Sequence, residues 1–252
     1  MAAAAKLLRP TGRRRAGRFL AEGPNLVEAA ARRGLVEEVF ATPAAAERHA
    51  GVCSGLTVHA VSEAAAKVLS ETVTPSGLVA VCRVPVVGID EVLTGRPALV
   101  AVAVGLSEPG NAGTLIRTAD AMGAGGVIFA GHGVDPYNGK CLRSSAGSIF
   151  SIPVATEPEL PHAELLGRLR AAGLGVLATT PGGELRLDDA GGLLARPTAW
   201  IFGSESHGLP DEIIEAADHR VVVPMSGGAE SINVSATAAI CLYQSACAQR
   251  SR

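Results

Sequence analysis

Ala98-Leu-Val-Ala-Val-Ala-Val-Gly-Leu-Ser-Glu-Pro-Gly-Asn-Ala-Gly-Thr-Leu-Ile-Arg117 reads as a buried strand, a polar glycine-bearing turn and the start of a helix. The apolar run ends at Leu106 before Ser107-Glu108, far short of the roughly 20 residues of a membrane span, so a core strand over Ala98–Gly105 is expected. Beyond the turn, Leu115, Ile116 and Ala119 form an apolar stripe on a helix expected over Thr114–Met122. The same alternation continues to the C-terminus. Strands are expected at Val127–Phe129, Gly175–Ala178, Ala199–Phe202 and Arg220–Val223, and helices at Lys140–Ala146, His162–Ala171, Asp211–Ala216 and Ser235–Ala248. Strand and helix in alternation specify an α/β fold, a mostly parallel sheet with helices on both faces.

Two further segments share the polar, glycine-bearing character of Asn111-Ala-Gly-Thr-Leu-Ile-Arg117. They are Ile201-Phe-Gly-Ser-Glu-Ser-His-Gly-Leu-Pro210 and Val223-Pro-Met-Ser-Gly-Gly-Ala-Glu-Ser-Ile-Asn-Val-Ser235, each at the end of an expected strand. Ligands of open α/β sheets bind beyond the carboxyl ends of strands, where glycine admits close approach, so the three segments imply one shared site.

In order, spacing and wording these segments resemble the three motifs of the SpoU/TrmH family of RNA ribose 2′-O-methyltransferases, within the SPOUT superfamily. The motif residues are Asn111, Gly113 and Arg117, then Gly203, Glu205, Gly208 and Leu209, then Pro224, Ser231, Asn233 and Ser235. The resemblance covers roughly residues 97–250, and departs from the family's usual pattern only at Ile232 and Thr237. It implies a knotted (trefoil) parallel-sheet domain, S-adenosylmethionine as cofactor, RNA as substrate and a homodimer across which the site is completed. It also implies catalytic roles for Arg117, Asn111, Ser231 and Asn233, and cofactor binding by Gly203, Glu205, Val223, Met225 and Ile232.

Each residue also has a plainer reading. Arg117 could snorkel or meet a carboxylate; with a pKa above about 12 it is a poor proton acceptor, which favours electrostatic stabilisation. Asn111 and Asn233 both stand where a helix would be capped. Glu205, between Gly203 and Gly208, could order its loop by accepting backbone N–H groups or could meet a cation. His207 beside Ser204 and Ser206 is not a hydrolase signature, because Gly203-Ser-Glu-Ser-His-Gly208 is not G-x-S-x-G. Gly133 to Cys141 lacks the spacing and hydroxyl of a phosphate loop, and Gly123-Ala-Gly-Gly126 lacks the third glycine of a dinucleotide fingerprint.

Upstream, shorter elements alternate: helices at Asn25–Arg33, Ala44–Ala50 and Glu63–Leu69, strands at Glu38–Ala41, Thr57–Val61 and Leu78–Val84. Ser62-Glu63 is a helix start. Gly17-Arg-Phe-Leu-Ala-Glu-Gly23 and Thr72-Val-Thr-Pro-Ser-Gly-Leu-Val-Ala-Val81 resemble the opening and the end of the ribosomal-protein-like substrate-binding domain that precedes many SpoU-type catalytic domains. The expected organisation is an RNA-binding domain over residues 1–84, a linker punctuated by Pro85, Gly88, Gly95 and Pro97 over 85–96, and the methyltransferase domain over 97–252.

The net charge of −2 conceals a basic N-terminus: residues 1–33 carry eight Lys and Arg against two Glu, a local +6. Clustered cations suit phosphate, and Arg13, Arg14, Arg15, Arg18 and Arg143, the last in a second basic turn Arg143-Ser-Ser-Ala-Gly-Ser148, are the expected RNA contacts. A solvated basic arm is the plainer alternative. Five cysteines without a CxxC pair and six histidines without ligand spacing argue against a disulfide framework or a metal site. The first ten residues lack the apolar core of a secretory signal, and a cytoplasmic protein is expected. The combined expectation is a ribosomal RNA 2′-O-methyltransferase, with a tRNA methyltransferase or a catalytically silent ribosome-assembly factor as alternatives.

Overall fold

A computed structural model describes residues 1–250. The chain divides into two compact units, Met1–Val86 together with Asp135–Phe150, and Val87–Val134 together with Ser151–Arg252.

The first unit is built on four strands, β1 (Arg18–Glu22), β2 (Val36–Ala41), β3 (Val58–Ala60) and β4 (Leu78–Arg83), in the order β1-β4-β2-β3. β4 runs antiparallel to β1 and β2, and β3 is parallel to β2. The helix Pro24–Arg32 buries Leu26, Val27 and Ala30, a spacing that places all three on one face. Ser62 caps the helix Glu63–Val68, accepting the Ala65 N–H at 3.2 Å as its sequence position anticipates.

The basic N-terminus is not a solvated arm. It folds into the helices Ala2–Ala5 and Pro10–Ala16, and Ala4 and Leu7 pack with Leu20, Phe40, Leu69, Val79 and Val81. The segment Asp135–Phe150 completes this unit: Tyr137 and Phe150 place their rings 5.0 and 6.0 Å from that of Phe19. Fully buried Phe19 thus has aromatic neighbours from a distant part of the chain, each such pair contributing about 0.5–1.5 kcal/mol beyond the area it covers.

The second unit holds seven parallel strands: β5 (Leu99–Val104), β6 (Val127–Ala130), β7 (Val154–Glu157), β8 (Gly175–Thr179), β9 (Leu185–Arg186), β10 (Thr198–Phe202) and β11 (His219–Val222). Their order is β7-β6-β5-β10-β8-β11-β9. Every residue of β5 and β10 is buried, as a central parallel strand covered on both faces requires. On one face Val100, Val102 and Ile201 join Leu165, Leu166 and Leu169 of the helix His162–Ala171. The opposite face carries Trp200, whose indole N–H donates to Ser245 Oγ of the C-terminal helix Val234–Arg250 at 2.8 Å, so the bulkiest core side chain is also satisfied.

Residues 85–96 do more than link. Ile89 and Val92, three apart on the short helix Ile89–Leu93, are buried in the second unit's core, so the proline and glycine punctuation brackets a packed turn. Among the described residues no helix is long and apolar enough to cross a membrane.

All five cysteines are free thiols. Burial pushes the Cys82, Cys141 and Cys241 thiols up to about 12, whereas hydrogen bonds from Tyr243 and Arg250 lower that of Cys247. Titration of the native protein with a thiol reagent at neutral pH should therefore label Cys247 first and Cys53 next, the three buried thiols reacting only after unfolding.

Candidate functional site

β5, β10, β8 and β11 are consecutive in the sheet, and the carboxyl ends of β10, β8 and β11 meet around a cavity of about 540 Å³. Its walls come from Thr179-Thr180-Pro181 at the end of β8, Gly203-Ser-Glu205 after β10, and the segment from the end of β11 through Met225 to Val234. This is the position and size at which parallel α/β sheets hold small ligands. Glu205 and Glu230 are the ionisable groups on the wall, and Met225 and Ile232 present exposed apolar surface to it.

The loop after β10 closes on itself: Ser204 and Gly208 exchange backbone hydrogen bonds of 3.0 Å in each direction. Gly208 adopts φ +68°. A side chain at Gly203 would meet backbone, with an added Cβ 2.2 Å from the Gly208 carbonyl carbon and 2.5 Å from the Leu209 nitrogen. Glycine at this position is therefore a condition of the turn.

From that turn Glu205 reaches the loop after β5. Its carboxylate accepts from Asn111 Nδ2 at 2.8 Å, Ser107 Oγ at 3.3 Å and the Ser107 N–H at 3.5 Å. Partial burial raises its pKa, but the hydrogen bonds from Asn111 and from the backbone at Ser107 and Glu108 outweigh this, and the net shift is downward. Glu205 is thus ionised at neutral pH, an acceptor only.

Asn111 lies in the first turn of the helix Pro109–Ala121, which begins five residues before its expected start because Pro109 occupies N1 and the Glu108 carboxylate accepts the Gly110 N–H at 3.1 Å. Capping is therefore done by Glu108, and the Asn111 side chain is released for other contacts. Its Oδ1 accepts from Asn233 Nδ2 at 3.0 Å and from Ser235 Oγ at 2.9 Å. Asn233 does cap: its Oδ1 accepts the Ser235 N–H at 2.9 Å at the start of the C-terminal helix. One continuous chain of hydrogen bonds, from Glu205 through Asn111 to Asn233 and Ser235, unites all three glycine-bearing segments.

Of the expected site residues, Gly203, Glu205, Val223, Met225, Ser231, Ile232 and Asn233 line the cavity, and Asn111 stands directly behind Asn233 and Glu205. Ser231 is exposed there with no hydrogen bond among the described residues. Arg117 is not brought to this cluster. Six residues beyond Asn111 on the same helix, it projects about 120° away around the axis, exposed and with no ion pair or hydrogen bond among the described residues. Ser107, Thr179, Thr180 and Ser235 belong to the site without having been assigned a role. Thr179 ends β8 and Thr180 follows it, where the strand-end rule points, and Ser235 is in the third motif.

The basic residues divide. Arg13 is 5% exposed: its Nε donates to Asp135 at 2.6 Å and its Nη1 to the carbonyls of Leu7 and Leu8, so it is a structural clamp and not an RNA contact. Arg18 pairs with Glu37 at 2.5 Å, and Arg143 lies 3.8 Å from Glu71, both pairs exposed enough to be exchanged for a phosphate. Arg14 and Arg15 are exposed, with no ion pair among the described residues. Among the described residues no group of three or more His, Cys, Asp or Glu side chains converges as a metal site would need.

Residues 98–243 match the model of the SpoU rRNA Methylase family, and residues 3–80 that of the MRM3-like substrate binding domain. The chain is 36% identical over 231 residues to the 23S rRNA (guanosine(2553)-2′-O)-methyltransferase RlmP of Bacillus subtilis, spanning 89% of this chain and 87% of that protein. It is 34% identical over 173 residues to the 23S rRNA (uridine(2479)-2′-O)-methyltransferase of Streptomyces viridochromogenes, covering 68% of this chain and 60% of the relative. Among solved structures, the SpoU methyltransferase AviRb of Streptomyces viridochromogenes in complex with AdoMet superposes with a TM-score of 0.87 at 30% identity, covering 99% of this chain and 97% of the other. An RNA 2′-O ribose methyltransferase superposes with a TM-score of 0.83 at 36% identity, covering 100% and 96%.

Proposed function

The chain belongs to the SpoU rRNA Methylase family, and from that premise we propose that it transfers the methyl group of S-adenosylmethionine to a ribose 2′-hydroxyl of ribosomal RNA. The observation that carries this reading is the cavity at the ends of β8, β10 and β11, joined by hydrogen bonds to Asn111 and Asn233.

The residues present fit the cofactor. The cavity is large enough, its Met225 and Ile232 side chains offer apolar surface to an adenine, and its ionisable groups are carboxylates, suited to a ligand bearing an ammonium and a sulfonium. Backbone groups of Gly203, Val223 and Ile232 would hold it, with the Thr179 to Pro181 loop as the opposite wall. When bound, S-adenosylmethionine supplies a methyl carbon that is already electrophilic. The protein's own task is then alignment. Asn233 and Ser231 line the site, with Asn111 hydrogen-bonded behind Asn233, to orient the ribose, and the Arg117 guanidinium stabilises charge that develops on the attacking oxygen.

Because Arg117 projects away from Asn111 on its own chain, the active species in this reading is a homodimer in which Arg117 serves the neighbouring site. Ile240 and Tyr243, exposed on the C-terminal helix, support such a contact. We include in this reading the trefoil path of the C-terminal segment and a cytoplasmic location beside the ribosomal RNA. The first unit reads the RNA, as supported by its match to a substrate-binding domain. Arg14→Ala with Arg15→Ala should lower the slope of log affinity against log salt by between about one and two, since each lost phosphate contact releases fewer counterions. Arg13→Ala should instead lower folding stability, by on the order of 2–4 kcal/mol, because it removes the buried guanidinium that ties Asp135 to the Leu7 and Leu8 carbonyls.

Calorimetric titration in the presence of a chelator tests the reading: S-adenosylmethionine should bind at one site per chain. Absence of binding to the folded protein would leave the silent RNA-binding alternative in its place.

A further inference from the structure

We infer that Ser235 is a positioning residue of the methyl-transfer site, its buried hydroxyl bridging the carboxamides of Asn111 and Asn233 and holding in place the two side chains whose polarity Glu205 and the Ser235 N–H set. The inference rests on the activity proposed above and extends it to a side chain with no assigned role.

Ser235 is the second residue of the C-terminal helix and is 7% exposed. Its Oγ lies 2.6 Å from Asn233 Oδ1 and 2.9 Å from Asn111 Oδ1. Both neighbours are amide oxygens, which only accept, while a hydroxyl has one proton to give. That proton is shared between the two carboxamides, and Ser235 is the point at which the first and third motifs are tied.

The polarity of the whole chain follows from its ends. Glu205, ionised, can only accept, so Asn111 must turn Nδ2 toward it and Oδ1 away. At the other end the Ser235 N–H can only donate, so Asn233 must turn Oδ1 toward it and Nδ2 toward Asn111. Neither amide can flip without setting oxygen against oxygen or N–H against N–H. Asn111 Oδ1 already receives two donors, from Asn233 and Ser235, which fills both lone pairs. Each asparagine therefore has an N–H left for the substrate, suited to holding a ribose or phosphate oxygen by its lone pairs and unsuited to removing a proton.

Without the Ser235 hydroxyl, Asn111 Oδ1 loses one of its two donors, and Asn233 Oδ1 keeps only the backbone N–H. The helix cap survives, so the loss falls on side-chain orientation and not on the fold. This separates a positioning role from a structural one.

The test uses the full chain with Ser235→Ala and Ser235→Thr. Three quantities are read: the side-chain amide signals of Asn111 and Asn233 in a proton–nitrogen correlation spectrum of the free protein, the affinity for S-adenosylmethionine, and the single-turnover methylation rate of unmodified 23S ribosomal RNA at saturating cofactor. Ser235→Ala should shift or broaden both amide signals, leave cofactor affinity within about threefold, and lower the rate by about 10- to 100-fold, while Ser235→Thr, which keeps the hydroxyl, recovers most of the rate. Unchanged amide signals or an unchanged rate in Ser235→Ala overturns the inference. Equal losses in both variants overturn it too, by marking packing rather than the hydroxyl as what matters. Failure of the proposed activity itself is read separately, in the unsubstituted protein, as no methyl transfer to the RNA; the positioning role then falls with it.

Discussion

Arg117→Ala is expected to lower the rate of methyl transfer by about 100- to 1,000-fold while leaving affinity for S-adenosylmethionine within a few fold. Arg117 does not line the cofactor cavity and holds no ion pair among the described residues, so its removal breaks nothing in the fold. What is lost is a charge-assisted contact made when negative charge develops on the ribose oxygen. Because the side chain is assigned to the neighbouring site, the effect has a second signature. Mixing Arg117→Ala subunits with Asn233→Ala subunits should restore activity, since the mixed dimer contains one site with both residues intact. A variant that lost cofactor binding but kept its rate at saturating cofactor would place Arg117 on the wrong side of the reaction.

Gly203→Ala is expected to weaken S-adenosylmethionine binding by at least about 100-fold. The added methyl group would sit 2.2 to 2.5 Å from the backbone of Gly208 and Leu209. Those atoms belong to the turn that Ser204 and Gly208 close by mutual hydrogen bonds, so relief requires opening it. Opening the turn also withdraws Glu205 from Asn111 and Ser107, and the disruption passes to the third motif through Asn233. Calorimetry and a melting curve on the same sample would distinguish a local effect on binding from a general loss of stability. Wild-type affinity in this variant would mean that the turn yields and does not shape the cavity.

The site was more legible in the sequence than the architecture around it. Three segments at strand ends announced one shared site; the second and third line the cavity, and the first is joined to them by the hydrogen bonds of Asn111, because β5, β10 and β11 end on the same edge of a parallel sheet. What sequence could not supply was the wiring. Asn111 was ambiguous between cap and contact until Glu108 took the capping position, and Glu205 turned out to bind another motif's asparagine and not a cation. Periodicity found the long elements and missed β1, β7 and β9. β1 is buried on both faces at Phe19, Leu20 and Ala21, so it shows no alternation, and the other two strands have four and two residues. The basic N-terminus read as charge because eight cations overshadow Ala4 and Leu7, which are the residues that anchor it. Nothing local in Asp135–Phe150 says that it packs on Phe19, a contact across more than a hundred residues. A fragment beginning near Arg96 would accordingly lose Ile89 and Val92 from its core and leave Tyr137, Leu142 and Phe150 without their partners.

The central claim is the position of the methyl group on the RNA. Ribosomal RNA transcribed without modification, incubated with the protein and methyl-labelled S-adenosylmethionine, should acquire label at the ribose of one nucleotide. The mark is chemical: a methylated 2′-oxygen cannot attack the adjacent phosphate, so alkaline hydrolysis leaves an uncleaved labelled dinucleotide at that site. Label recovered only in single nucleotides, as methylated bases would give, or no transfer by a protein that binds the cofactor, would contradict the account.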